Sequence, residues 1–164
     1  MRTFSLIALI LLFGAAFFSC KKGEKGEEIP FIEIWRFSEL CGEERYEKQD
    51  RVISSQYEWE NLLIDVDFES CIRWPGGAPW DFLSKMKNDF DVYQRIVVID
   101  ELRGPMGRGF EITKITDYAE KVVVTVTETL PKGGMDYGTA QHYQIVKMPA
   151  TTKKIEFKHI YKTK

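Results

Sequence analysis

Cysteine and histidine are the side chains of this chain best suited to nucleophilic, acid–base or metal chemistry. The sequence contains them at Cys20, Cys41, Cys71, His142 and His159. A nucleophilic cysteine needs an activating base beside it, and the two histidines do not have a spacing typical of metal ligands. The HExxH, CxxC and GxSxG motifs are absent from the sequence, and no pair of carboxylates stands out. The sequence therefore predicts a protein that is not an enzyme and that uses no metal and no cofactor.

A glycine-rich segment between two β patterns is the other candidate for binding chemistry. It consists of Arg103, Gly104, Pro105, Met106, Gly107, Arg108 and Gly109. Its GxxGxG spacing matches neither the dinucleotide fingerprint nor the P-loop, and both motifs need a helix to follow, because its free amides bind the phosphate. The β pattern FEITKIT follows instead, so the segment predicts a tight hairpin. Two roles stay open for it: a structural turn with solvated arginines, or a rigid loop that docks on a partner protein.

The first 19 residues are typical of a targeting signal. Arg2 supplies a positive charge, and residues 4–18 form an almost wholly apolar run of the length expected for a signal-peptide core. A transmembrane helix needs about 20 apolar residues, so the run predicts a cleaved signal peptide over residues 1–19 rather than a permanent span.

The end of this run, FFSC, resembles the lipobox of bacterial lipoproteins. In that family the cysteine is acylated and becomes the first residue of the mature chain. The resemblance implies that Cys20 carries acyl chains such as palmitate and anchors the protein in a membrane, since two chains give stable anchoring without a span. It also implies an exported protein of the cell envelope, in an outer membrane that it faces from the periplasm or from the cell surface.

Charge and composition restrict the partners and define a tether. The chain carries 23 basic and 25 acidic side chains, so nothing in its charge suggests a nucleic-acid partner, which would favour a basic patch. Residues 20–29, CKKGEKGEEI, are charged and poor in apolar side chains, and such a segment cannot bury enough surface to fold. We therefore predict a flexible tether over 20–29 and one folded domain over 30–164.

With Cys20 acylated, two cysteines remain to be explained. An exported chain lies in an oxidising compartment, where an even pair favours a disulfide between Cys41 and Cys71. Closing a loop of about 30 residues would stabilise the fold by roughly 3–4 kcal/mol. Two separate buried thiols are the alternative.

Periodicity predicts the elements that position these residues. A strand is expected over Phe31–Phe37. The stretch SSQYEWENLL predicts a helix, with Ser55 and Glu58 as its capping box. Five β patterns then follow: RIVVIDEL, FEITKIT, KVVVTVTETL, HYQIVKM and KKIEFKHIY. Short turns between them predict an antiparallel β-meander of about five strands, which together with one or two helices and the N-terminal strand gives a single α+β domain.

Two tryptophans flank a proline- and glycine-rich stretch, RWPGGAPW, before the β region. Most tryptophans of this chain are expected in the core. Trp74 and Trp80, however, lie on either side of PGGAP, and they are a candidate exposed aromatic patch. The alternatives, core packing or a ligand-binding patch, both stay open.

The order of five short motifs resembles the PrcB-like C-terminal domain family, named after a lipoprotein subunit of a surface protease complex. The motifs are VISSQYEWENLL, NDFDVYQRIVVI, GPMGRGFEITKI, KVVVTVTETLP and HYQIVKMP, which together cover roughly residues 52–160. Residues that match the family's pattern are the helix tryptophan Trp59, the DF pair Asp89 and Phe90, the hairpin residues Gly107, Gly109 and Phe110, and Tyr143 and Pro149 of the last strand.

This resemblance implies a non-catalytic accessory lipoprotein that assembles or localises an exported protein complex, with a protease complex as a candidate. Two alternatives stay open. Proline-glycine hairpins on β-sandwiches also occur in chagasin-like cysteine protease inhibitors, which would use residues 103–109 to enter a protease cleft. A carbohydrate or small-ligand binder would instead use Trp74 and Trp80.

Overall fold

The computed structural model describes residues 25–40, 47–65, 89–101, 109–130 and 140–163. Within these ranges it contains, in chain order, β1 (Glu27–Glu28), β2 (Ile32–Leu40), β3 (Gln49–Ile53), α1 (Gln56–Asp65), β4 (Tyr93–Ile99), β5 (Gly109–Asp117), β6 (Lys121–Leu130), β7 (Ala140–Pro149) and β8 (Lys154–Thr163). None of the helical segments in these ranges has the length and apolar character that crossing a membrane requires.

The strands form two four-stranded sheets. The central sheet has the order β2-β7-β4-β3, and the outer sheet has the order β1-β5-β6-β8. Neighbouring strands are antiparallel, except for β6 and β8, which are parallel. The fold is thus a mainly β arrangement of two sheets with one described helix.

The predicted meander of five consecutive strands is wrong. β4 and β5 follow each other in the chain but belong to different sheets, and the same is true of β6 and β7 and of β7 and β8. An alternating pattern identifies the face of a strand that is buried, but it does not identify the strand beside it. β4 is buried along nearly its whole length because both faces of the central sheet are covered.

The helix α1 covers one face of the central sheet. Its start is fixed by the predicted capping box: the Glu58 amide donates to Ser55 Oγ at 3.2 Å, and the Ser54 amide donates to Glu58 Oε2 at 2.7 Å. Helical spacing places Trp59 and Leu62 on one side, and both are buried against the sheet. The core between α1 and the central sheet comprises Trp35, Ile53, Trp59, Leu62, Val97, Ile99, Tyr143 and Ile145.

The second face of the central sheet packs on the outer sheet. This core comprises Ile96, Val98, Phe110, Ile112, Ile115, Val122, Val124, Val126, Val146 and Met148. Within the pattern KVVVTVTETL, Val122, Val124 and Val126 alternate with the other residues of β6, and all three are buried in this core. The described chain forms three layers, in the order α1, central sheet and outer sheet.

The strand registers define two ends of this sandwich. At the first, which we call the entry end, lie the boundary residues Glu27, Tyr93, Asp117, Lys121, Pro149 and Lys154. At the second, the loop end, lie Leu40, Gln49, Ile99, Gly109, Leu130 and Ala140. The chain joins the outer sheet at the entry end, where Glu27 pairs with Asp117 and the Ile29 amide donates to the Ile115 carbonyl at 2.9 Å. Part of the segment predicted as a tether, residues 27–29, thus runs along β5.

Candidate functional site at the loop end

The glycine-rich segment connects the two sheets at the loop end. Its flanks are Glu101, just after β4 in the central sheet, and Gly109, the first residue of β5 in the outer sheet. A tight hairpin between paired strands is therefore excluded, because the strands on either side do not pair. Residues 102–108 lie outside the described residues, so the predicted loop is placed only by these two flanks.

Gly109 itself does not need to be glycine. Its φ lies outside the left-handed region, and a Cβ built on it would meet nothing within 4 Å. Of the sequence-predicted site residues, Gly109 alone lies in the described part of the chain. Predictions for the others remain predictions, since they fall outside the described residues: Cys20, Cys41, Cys71, Trp74, Trp80 and residues 103–108.

Hydrogen bonds fix the flank on the β4 side. The Asp100 amide donates to the His142 carbonyl at 2.9 Å, and Gln141 Nε2 donates to the Asp100 carbonyl at 2.9 Å. The Asp100 carboxylate accepts the Glu101 amide, also at 2.9 Å. Asp100 and Gln141 are both buried, so the chain leaves β4 in a defined direction before it crosses to the outer sheet.

A partly buried polar cluster joins the two sheets at the loop end. His159 Nδ1 lies 3.0 Å from Glu128 Oε1, and His159 Nε2 lies 2.9 Å from Asp50 Oδ2. Lys48 Nζ lies 3.3 Å from Glu128 Oε1 and 3.7 Å from Asp100 Oδ1. Only 3 % of the Glu128 side chain is exposed, so a buried carboxylate is held by two neighbouring nitrogen-bearing side chains.

The geometry of His159 favours a structural role over a catalytic one. Both ring nitrogens lie within hydrogen-bond distance of a carboxylate oxygen. Each nitrogen then faces its own carboxylate, and neither is directed toward an open site as a base or a metal ligand. Among the described residues, no group of His, Cys, Asp and Glu side chains is arranged to hold a metal ion. The cluster therefore clamps the two sheets together at the loop end.

Sequence reasoning missed this cluster because its members are far apart in the chain. Asp50 and His159 are 109 residues apart, and Glu128 and His159 are 31 apart. The sequence nevertheless contained an indication of this cluster. Glu128 follows Val122, Val124 and Val126 on the face of β6 that is otherwise apolar, and His159 extends the inward face of Ile155 and Phe157 on β8. Polar residues that continue a buried face are paired in most folds.

The residues that match the family's helix tryptophan and DF pair come together elsewhere, between α1 and β4. The Arg95 guanidinium is fully buried, with its Cζ 3.9 Å from the Phe90 ring centroid and 5.2 Å from that of Trp59. Asp89 accepts from Arg95 at 3.4 Å and also from Lys147. Burial lowers the pKa of Arg95, and the charge of Asp89 opposes that shift.

This arrangement gives the matched residues a structural role. Phe90 and Trp59 enclose the aliphatic and planar parts of a buried cation, while Asp89 supplies its counter-charge. Tyr143 lies in the same helix-side core, and its hydroxyl donates to Gln141 at 3.0 Å. Pro149 ends β7 at the entry end. Trp59, Asp89 and Phe90 thus help to hold α1 on the central sheet, whereas Tyr143 lies near the β4 flank of the glycine-rich connection, because Gln141 joins its hydroxyl to the Asp100 carbonyl.

Comparison of the chain with protein-family models, with curated proteins and with solved structures finds no match. A role for the protein is therefore argued from its own residues and their placement. Two features of that placement matter most: the end at which the chain enters the sandwich, and the opposite end at which residues 102–108 cross between the sheets.

Proposed function

We propose that this chain is a non-catalytic lipoprotein, anchored through Cys20 in a membrane of the cell envelope, and that it is an accessory or assembly subunit of an extracytoplasmic protein complex. The observation that carries the proposal is the separation of its two ends. The chain enters the sandwich from the Cys20 side at β1, and the flanks of residues 103–109 lie at the far end. An anchor at one end leaves the other end available to a partner protein.

The construction of the loop end supports a rigid binding surface. Loops that bind partners are usually held by a rigid scaffold, and a loop that is ordered before binding loses less conformational entropy on association. Here the buried side chains of Asp100 and Glu128 take part in hydrogen bonds or ion pairs at the same end of the sandwich as the two flanks. Two arginines in the segment, Arg103 and Arg108, belong to the residue types enriched in the energetically dominant part of protein interfaces.

The resemblance to the PrcB-like family suggests that the partner is a subunit of a protease complex. A chagasin-like inhibitor is the second candidate, because a connection between two sheets at the end of a sandwich is also suited to entering a cleft. The two roles differ in what the loop does to its partner. An accessory subunit leaves the protease active when bound, whereas an inhibitor abolishes its activity at stoichiometric amounts.

Charge reversal at one loop position tests the proposal. The full-length chain, tagged and expressed at its native level in its own cells, is purified from membranes as wild type, Arg108→Glu or Lys158→Glu. Lys158 is exposed on β8 and makes a matched control. We expect one exported protein in stoichiometric amount with the wild type and with Lys158→Glu, and its loss with Arg108→Glu. Equal recovery with all three proteins, or no partner with any, would contradict the proposal.

A further inference from the structure

The chain approaches β1 along a narrow path that leaves little freedom at the entry end. Gly26 lies so close to the outer sheet that a Cβ on it would be 2.4 Å from Thr116 Cγ2 and 2.8 Å from Tyr118 Cε1. The next residues pair with the end of β5, Glu27 with Asp117 and Glu28 with Thr116. Gly26 is thus held against the side chains beside the β5–β6 turn.

The chain between this point and the proposed anchor is short. Five peptide units separate Cys20 from Lys25, and even a fully extended chain of that length spans at most about 18 Å. The ten-residue strands β6 and β8 are about 33 Å long. The tether is therefore shorter than the sandwich, and the entry end is confined close to any membrane that holds Cys20.

The entry end also exposes apolar side chains. Ile32 begins β2 opposite Lys147 and is 60 % exposed, and Val92 immediately precedes β4 and is 59 % exposed. Tyr57 is exposed in the first turn of α1, which begins just after β3 ends at this end. Isolated apolar side chains on a surface are common, but here they lie at the end to which the tether leads.

Charges at the entry end are paired with one another. Lys153 Nζ lies 2.5 Å from Asp117, and Glu156 lies 2.6 Å from Lys121 and 3.0 Å from Lys154. The two lysines lower the pKa of the Glu156 carboxyl. Lys121 and Lys154 share the Glu156 carboxylate, and Lys153 pairs with Asp117, so these three described lysines do not form the unpaired basic cluster that would bind anionic lipid. Contact with a membrane would then come from apolar side chains and from the anchor.

We propose that the entry end lies on the bilayer surface, with Ile32 and Val92 in the lipid interface, and that the loop end points away from the membrane. This placement rests on the acylation of Cys20 proposed above. The contact needs little affinity of its own, because a tether this short gives the entry end a high effective concentration at the lipid surface. The proposed partner surface at the loop end is thereby held about the length of a strand from the membrane.

Two positions of nearly equal exposure provide a matched test. An environment-sensitive coumarin amino acid replaces either Val92 at the entry end or Tyr161 near the loop end, which are 59 % and 61 % exposed. The full-length chain is produced in its own cells and reconstituted into phosphatidylcholine–phosphatidylethanolamine vesicles with or without a spin-labelled lipid quencher. Mass spectrometry of the N-terminal peptide from the same preparation reports whether Cys20 is acylated.

The expected result is acylated Cys20, loss of coumarin fluorescence at position 92 with the quenching lipid, and unchanged fluorescence at position 161. Acylated protein that is quenched at neither position, or as much at 161 as at 92, would overturn the placement and leave the anchored role intact. An unmodified Cys20 would overturn both the placement and the proposed anchor. The readout does not depend on the partner protein, so failure of the partner proposal is detected separately.

Discussion

A contact between His159 and Asp50 joins an edge strand of the outer sheet to an edge strand of the central sheet. His159 lies on β8, the edge strand of the outer sheet, and Asp50 lies on β3, the edge strand of the central sheet. Their Nε2 and Oδ2 atoms are 2.9 Å apart, and the second ring nitrogen contacts Glu128 on β6. One imidazole thus links three strands from both sheets at the loop end of the sandwich.

Replacing this imidazole should destabilise the fold. His159→Leu leaves the buried Glu128 carboxylate with less compensation, and the expected loss in free energy of unfolding is about 2 kcal/mol, measured by urea denaturation. Lys162→Leu, at an exposed position of the same strand, should change it by less than about 0.5 kcal/mol. Adding Glu128→Gln to His159→Leu should restore part of the loss. If His159→Leu and Lys162→Leu lowered the free energy of unfolding equally, the contacts of His159 would contribute nothing to stability.

Adding a single methyl group at Gly26 should separate β1 from β5. Gly26→Ala places its Cβ 2.4 Å from Thr116 Cγ2, so we expect the strand to separate from β5 and the free energy of unfolding to fall by about 1 kcal/mol. Hydrogen exchange is the direct measurement, because the Ile29 amide donates to Ile115 in the intact pairing and should exchange faster in the variant. Gly109→Ala is the control and should leave exchange unchanged, since its Cβ meets nothing within 4 Å.

Two buried glutamines on the sandwich face of the central sheet should differ in importance. Gln144 Oε1 accepts the Ile112 amide at 2.6 Å, at the bulge of β5, and its Nε2 donates to Glu33 at 2.6 Å. Gln144→Leu leaves that amide unsatisfied and should cost about 1–3 kcal/mol of unfolding free energy.

Gln94 provides the comparison with Gln144. It is also buried, but its Nε2 has no hydrogen-bond partner among the residues that the structure describes. Gln94→Leu removes an unsatisfied donor and only one long contact, from the Thr151 amide to Gln94 Oε1 at 3.5 Å, so thermal denaturation should show little loss or a small gain in stability. If Gln94→Leu proves as damaging as Gln144→Leu, the bridge from Gln144 to the β5 bulge is not the source of the effect.

Asp89, the counter-charge of Arg95, should contribute more to the stability of the fold than Asp91, which lies two residues further along the chain. Asp89→Asn weakens the ion pair of a fully buried guanidinium, and we expect a loss of about 2–3 kcal/mol in unfolding free energy. Asp91→Asn alters an exposed carboxylate two residues away and should have almost no effect. Comparable denaturation midpoints for the two variants would argue against a buried cation held by Asp89.

Local sequence patterns predicted the helix and the strands well, because each of these elements depends on residues that are close together in the chain. The capping box of Ser55 and Glu58 identified the start of α1: the hydrogen bond from the Glu58 amide to Ser55 Oγ is present, while the Glu58 carboxylate accepts the amide of Ser54 and not that of Ser55. Alternation identified the buried face of β6, from Val122 to Val126. The strand predicted from Phe31 is β2, which begins at Ile32.

Pairing between distant segments could not be predicted in the same way. The strong pattern of β4 followed by that of β5 suggested adjacent strands, although each packs its inward face on the other's sheet. The parallel pair β6 and β8 arises because β7 crosses to the central sheet between them. The clamp of Asp50, Glu128 and His159 depends on these pairings, and therefore could not be found before them.

Site-specific photo-crosslinking in the native membrane would test the proposed role of the loop end most directly. A benzophenone amino acid replaces either Arg108, in the connection between β4 and β5, or Lys154, exposed at the entry end. We predict that position 108 crosslinks to one exported protein and that position 154 does not. Crosslinking of the same protein from position 154 alone, or of no protein from position 108, would contradict a partner-binding role for the loop end.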